Sequence, residues 1–196
     1  MKTWFTADLH LGHANIIRYC DRPFDAVQDM DERLVDRWNE RVGEDDTVVV
    51  LGDVALGPIQ ASLSLVSRLA GTKLLVAGNH DRCWAGYGKK AAQATAMYRN
   101  AGFETIRTTH ELELAGRRVL LNHFPYEGDS HAEDRFIPWR PVDEGQWLLH
   151  GHVHTTWRHN GRMINVGVDV WDLAPVAEET IAQTIAELVR AGGDRS

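Results

Sequence analysis

Five short stretches of this 196-residue chain carry side chains able to bind a metal ion or move a proton: Asp8-Leu9-His10, Gly52-Asp53, Gly78-Asn79-His80-Asp81, Asn122-His123 and Gly151-His152-Val153-His154. Taken singly each is weak, because an Asp and a His two residues apart serve as often as a cap and a surface group. Together they offer seven donors, Asp8, His10, Asp53, Asn79, His123, His152 and His154. Carboxylates neutralise cationic charge, imidazoles suit borderline transition metals, and an amide oxygen adds a neutral ligand. The chemistry within reach of such a set is metal-assisted hydrolysis.

The elements that must position these residues follow from the apolar pattern. Short buried-strand runs, Trp4 to Ala7, Val48 to Leu51 and Leu74 to Ala77, each end just before a donor, and Val119 to Leu121 and Trp147 to Leu149 repeat the arrangement. Helical spacing runs through Met30 to Val42, Pro58 to Ala70, Lys89 to Ala101 and Val176 to Arg190. Strand, helix, strand implies parallel pairing, and the carboxyl end of a parallel strand is where an open α/β sheet presents its crevice. Ala115-Gly116, between Glu111 to Leu114 and Arg117 to Leu121, predicts a hairpin and with it a second, mixed sheet. Pro125 to Gln146 shows no period and predicts a long loop over the site, with Phe136, Trp139 and Arg140 as a stacking face and a phosphate donor.

The five blocks, in this order, resemble the pattern D-x-H, G-D, G-N-H-[DE], H and G-H-x-H of the calcineurin-like metallophosphoesterase superfamily. They extend from Asp8 to His154, about three-quarters of the chain. The resemblance implies an α/β fold, a two-sheet β-sandwich flanked by helices in the four-layer metallophosphoesterase manner, over a single domain spanning residues 1–196. It implies that Asp8, His10 and His154 hold one metal, that Asn79, His123 and His152 hold the other, and that Asp53 bridges the two. His80 is then the catalytic imidazole, together with Asp53. The implied cofactors are two divalent transition-metal ions, manganese first, with iron, zinc, cobalt or nickel compatible. Purple acid phosphatases of this superfamily carry a tyrosine ligand three residues after the bridging aspartate; Leu56 stands there instead, which speaks against a tyrosinate-bound ferric centre.

The implied activity is hydrolysis of a phosphate ester by a hydroxide held between the metals, with a phosphodiesterase favoured because no cap over the site is evident. A phosphomonoesterase and a nucleic-acid-processing nuclease share the ligand set and are the rivals among enzymes. A non-catalytic interaction module is the rival from another class, and the intact donor set with His80 weighs against it. The expected partner is a phosphate ester, with nucleotides and nucleic acid among the candidates; the sequence leaves oligomeric state open.

Other residues are read more modestly. His13 and Arg22 are candidate substrate contacts from the first loop, Arg22 through its fork of donors. His150 is expected to point away from the metals or support a ligand, and His110, His131 and His159 to face solvent. Asp81 is read as orienting His80 or nearby backbone, or as a cap. Trp139, Trp157 and Trp171 fit core packing or loop anchoring better than base stacking.

Bulk properties bound these readings. The 21 basic and 28 acidic residues leave a net charge of -7, which argues against a broad basic surface holding nucleic acid. Two cysteines, Cys20 and Cys83, form no zinc-type spacing or disulfide framework, and a reducing cytoplasm is expected. No apolar run approaches the roughly 20 residues needed to span a bilayer, so no membrane partner is expected. Absence of a secretory pattern predicts a mature chain starting near Met1.

Overall fold

The computed structural model describes residues 1–193, so the end of the expected domain span lies outside the described residues. Strands β1 (Thr3–Thr6), β2 (Thr47–Val50), β3 (Thr72–Val76) and β4 (Phe103–Arg107) pair in parallel, in chain order. A second sheet is built from β5 (Thr109–Leu114), β6 (Arg117–Asn122), β7 (Trp147–His150), β8 (His159–Asn160) and β9 (Met163–Asn165), in the order β5-β6-β7-β9-β8. In it β6, β7 and β9 run parallel, with antiparallel β5 and β8 at the edges. The chain then returns to the first sheet, where β10 (Val176–Ala177) pairs antiparallel with β1. The expected hairpin is β5-β6.

Alternation along the strands divides the core. Trp4, Val48, Val50 and Leu75 face the helices, packing with Leu34 and Trp38 of α2 (Val27–Asn39) and Leu63 of α3 (Ile59–Ser64). Phe5, Val49, Leu51 and Val76 face the second sheet and meet Val119, Leu121, Leu149 and Ile164. Each such side chain, fully buried, contributes about 1.5–3 kcal/mol. On the far side of the second sheet Leu120, Leu148 and Met163 are covered by Tyr126 and Trp157. The sandwich is a two-sheet α/β structure with flanking helices, as the resemblance implied.

Some boundaries differ from the sequence reading. The expected helix from Pro58 to Ala70 is α3 followed by a tighter 3-10 turn, Leu65–Arg68. At the C-terminus Val176 is a strand residue opposite Phe5, and helix α5 starts only at Glu178, seating Ile181 and Ile185 in the inter-sheet core. A β-branched residue at a free sheet edge is worth more as a pairing partner than as another helical turn. The short helix Ala14–Tyr19 and the strands β4, β8 and β9 had no clear periodic signal.

Candidate metal centre

The first donors leave β1 and β2 side by side. Pairing continues past the strand ends, since the Asp8 amide donates to the Gly52 carbonyl (3.0 Å), His10 to Asp53 (3.0 Å) and Leu11 to Val54 (3.0 Å). Asp8, His10 and Asp53 themselves adopt left-handed backbone, with φ of 58°, 52° and 54°. So do His152 and His154, at 72° and 49°. Five donors in a conformation uncommon for residues with a side chain mark a site whose surroundings hold the backbone in place. The two glycines act through space as well as φ. A Cβ at Gly52 would lie 2.6 Å from Nδ1 of His123, and one at Gly78 would lie 2.4 Å from Oδ1 of Asp53.

Asp81 secures the ends of β2 and β3 by accepting hydrogen bonds from the amides of Asp53 (2.9 Å), Val54 (3.0 Å) and Gly78 (2.8 Å). It therefore orients backbone rather than the His80 ring. Its burial, together with the neighbouring Asp53 charge, pushes its carboxyl up to about 7. The His80 amide donates to Oδ1 of Asp53 (2.9 Å), while the His80 ring is exposed at the mouth of the cavity, 5.5 Å from the His10 ring between centroids.

The side chains converge. Two carboxylate-imidazole clusters, Asp8-His10-His154 and Asp8-Asp53-His123, bring their ligand atoms within 4.8 Å of one another and share Asp8. Oδ2 of Asp53 lies 3.6 Å from Nε2 of His10 and 3.5 Å from Nε2 of His123. Oδ1 of Asn79 is 3.1 Å from the same His123 nitrogen. His152 is tied in through its amide, which donates to the Asp8 carboxylate at 3.0 and 3.2 Å.

Three of the four imidazoles have one ring nitrogen fixed by a hydrogen-bonding contact. Nδ1 of His123 meets the Leu51 carbonyl (2.8 Å), Nε2 of His152 meets Asp129 (2.9 Å), and Nδ1 of His154 meets Asp169 (3.1 Å). This is how metal-ligating histidines are oriented, with the second nitrogen held by a carbonyl or carboxylate. The fourth, His10, is buried with neither ring nitrogen hydrogen-bonded. Unpaired buried nitrogens are costly unless something else satisfies them, and a divalent cation would. Burial, reinforced by His154 and Arg22, lowers the His10 pKa well below the usual imidazole value, and burial sets His152 at about 4. Both rings are then neutral, the form that binds metal. Burial raises Asp8, whereas at Asp53 the same burial is outweighed by His123 and His80, so that its carboxyl is held down. The residues present fit a pair of cations.

The structure redirects two expectations. Arg22 is buried, its guanidinium donating to the Leu9 (2.9 Å) and Asp8 (2.7 Å) carbonyls and pairing with Asp169 at 2.7 Å. Its donors are spent behind the first loop, so it positions Asp8 and, through Asp169, His154, and makes no substrate contact. Arg140 is likewise taken up inside the long loop, by the carbonyls of Arg135 (2.9 Å) and Gly128 (2.8 Å) and by Asp129 (3.2 Å). Phe136 and Trp139 pack on Trp84, at 5.7 and 4.9 Å between ring centroids, and so anchor the loop. His13 does line the cavity, 5.4 Å from His10, with Nδ1 buried and unpaired. His150 lies behind the site against Trp157 (4.7 Å), and its Nδ1 donates to the Gly151 carbonyl (2.7 Å). His131 lines the cavity although exposed.

Residues that the sequence reading missed are the carboxylates behind the ligands, Asp129 and Asp169, and Asp31, which accepts the Gly12 amide (3.0 Å) and steadies the first loop. Held by His154 and Arg22 against the effect of burial, Asp169 sits at about 2. None of the three occupies a strand end or a recognisable spacing. The cavity above all these groups measures about 560 Å³.

A two-sheet α/β sandwich with clustered carboxylates and imidazoles at its strand ends is the architecture of a metal-dependent phosphoesterase. Residues 1–156 match the family model of the calcineurin-like phosphoesterases, and the chain belongs to that family. The family implies a dinuclear divalent metal centre and a phosphate-ester substrate. Gene 66 protein of Mycobacterium phage D29 is 41% identical over 90% of this chain and 93% of its own length. Uncharacterized protein MJ1445 of Methanocaldococcus jannaschii is 31% identical, over 94% and 91%. Among solved structures, protein AQ665 of Aquifex aeolicus superimposes with a TM-score of 0.70 at 25% identity, covering 93% of this chain and 98% of that one.

Proposed function

We propose that this chain is a phosphodiesterase acting as one domain, with Asp8, His10 and His154 holding one metal, Asn79, His123 and His152 the other, and Asp53 between them. The observation that carries this reading is the state of the imidazoles: three have one ring nitrogen pinned by a carbonyl or carboxylate, and the fourth is buried with both nitrogens unpaired. When bound, the metal pair supplies Lewis acidity and acidifies a water for attack on phosphorus. Manganese is the first choice for a mixed oxygen and nitrogen set, with iron, zinc, cobalt or nickel also suited.

The chain's own residues do the rest. Buried, hydrogen-bonded carboxylates and pinned rings keep the donors in place with little reorganisation. The exposed His80 ring, anchored through its amide to Asp53, donates a proton to the leaving oxygen. His13, which lines the cavity from the first loop, contacts the substrate phosphate. The cavity stands open between the first loop and the long loop, leaving room for a substituent on each side of phosphorus, and this favours a diester. Nucleotides fit its size, since small-molecule sites typically enclose about 300–1,000 Å³. No described helix is long and apolar enough to cross a membrane, Cys20 and Cys83 are free and buried, and a cytoplasmic enzyme is the corresponding reading.

A screen of mono- and diester chromogenic phosphates, cyclic nucleotides and short DNA or RNA against Mn, Fe, Co, Ni and Zn, beside Asp53→Asn, tests the proposal. Diester turnover that needs metal and disappears in the variant supports it. Faster monoester turnover, or turnover that survives in the variant, overturns it.

A further inference from the structure

We infer that Arg135 is a specificity-determining residue that binds a second anionic group on the substrate, outside the phosphoryl group that reacts. This rests on the phosphodiesterase reading of the same cavity. Among the described residues that line the cavity, Arg135 is the sole guanidinium or ammonium; its other nitrogenous walls are imidazoles and an amide. In a chain of net charge -7, a fixed cation facing an anion-binding cavity is a selective feature.

The geometry holds that cation ready. Nε and Nη2 of Arg135 donate to Oδ1 of Asp129 at 3.2 and 2.8 Å, and the guanidinium lies over the Phe136 ring at 5.5 Å. Nη2 also approaches the Ser130 hydroxyl at 3.5 Å, and Nη1 makes no hydrogen bond among the described residues. The two arginines on Asp129 differ: the Arg140 side chain is 4% exposed and consumed by the loop, that of Arg135 is 40% exposed. Burying Asp129 completely while leaving one of its two cations open to the cavity yields an oriented fork with a free edge, the arrangement that suits a phosphate or carboxylate.

Its position decides which anion. Asp129 stands between Arg135 and Nε2 of His152, so the guanidinium lies one carboxylate removed from that ring. A group bound there belongs to the substituent on phosphorus. The substrate class that results is a phosphodiester with a further anionic group on one arm, for which a phosphate is the probe.

Calorimetry on metal-loaded protein with thymidine 5′-monophosphate and thymidine 3′,5′-bisphosphate reads this without turnover. We expect the bisphosphate to bind roughly 10- to 100-fold more tightly, the scale of one charge-assisted hydrogen bond. Arg135→Ala should abolish that advantage and Arg135→Lys should keep part of it, both measured on protein loaded to two metals per chain. Arg135→Gln, of similar length, carries the test if the alanine variant misfolds. Equal affinity of the wild type for the two nucleotides, or a preference that survives in the variants, overturns the assignment. The 4-nitrophenyl 5′-diesters of both nucleotides separate the two readings: a binding advantage that depends on Arg135, with neither ester hydrolysed under any metal, sinks the phosphodiesterase reading and leaves the Arg135 assignment standing.

Discussion

The two halves of the candidate metal centre are held by different kinds of bond. The half that comes from the first sheet, Asp8, His10, Asp53 and Asn79, leaves neighbouring parallel strands and is kept in register by main-chain hydrogen bonds such as Asp8 to Gly52 and His10 to Asp53. The half that comes from the second sheet leans on side chains distant in sequence: His152 on Asp129, 23 residues away, and His154 on Asp169, which Arg22 holds across 147 residues. The first half follows from strand pairing, and the second requires the loops to find their places. Rigid backbone and adjustable side chains are thus combined in one site, with Asp8 accepting the His152 amide where they meet.

The comparison is broken most severely at Asp53, which faces imidazoles of both halves. Asp53→Asn should remove most of the activity and weaken both metal positions, because a neutral amide bridges two cations poorly. Titration of metal content beside turnover checks this, and a variant that turns over normally with two metals would reject the bridge. His80→Ala should retain both metals and lower turnover by a factor on the order of 10² to 10⁴. The loss should shrink for nitrophenol esters, whose leaving oxygen needs no proton. An equal loss for good and poor leaving groups would argue against acid catalysis by His80.

Asp129→Asn sharpens the contrast between the halves. It removes the charge behind His152 and should reduce affinity at one metal position by about 10- to 100-fold, the effect usual for such outer partners, while the other position stays unchanged. Competitive chelator titration with two resolved steps measures it; an equal loss at both positions would mean that Asp129 does not act through His152 on one metal position alone. Arg22→Lys should have a smaller effect on metal binding, since one ammonium cannot replace a fork that serves Asp169 and two carbonyls at once. Preserved His154-side affinity in that variant would make the Arg22 network a matter of folding only.

The smallest effect is expected away from the site, at Asp46. Its carboxylate accepts hydrogen bonds from the Gly43 and Lys2 amides and from Trp4 Nε1, and these lower its pKa. A carboxyl lowered on folding adds stability above its unfolded pKa of about 3.9, and loses it as pH falls through the lower folded value. Asp46→Asn should therefore lower the melting temperature at pH 7, with the difference from the wild type shrinking as pH falls below the unfolded carboxyl pKa. A constant difference across that range would show that hydrogen bonding alone, without ionisation, is what Asp46 provides.

The comparison between halves also describes what could be read beforehand. Each donor in the first half stands directly after an apolar run, and period-two burial with a glycine beside the donor is a local property of the chain. His123, His152 and His154 were legible for the same reason, since they follow β6 and β7. Arg22 and Arg140 were misread because an arginine in a loop looks the same in sequence whether its donors meet substrate or close a turn of backbone. Only the folded chain shows Leu9 and Asp8 carbonyls waiting for Arg22, and Arg135 and Gly128 carbonyls for Arg140.

By itself, then, the sequence determined the strands β1, β2, β3, β6 and β7 and the donors that issue from their ends, because hydrophobic patterning along a strand is short-range and periodic. The tertiary structure decided which carboxylate stands behind each histidine, which arginine remains open to the cavity, and that His10 is left with two unpaired nitrogens. These depend on side chains meeting across as many as 147 residues, where no period connects the partners and only the packed geometry brings donor to acceptor.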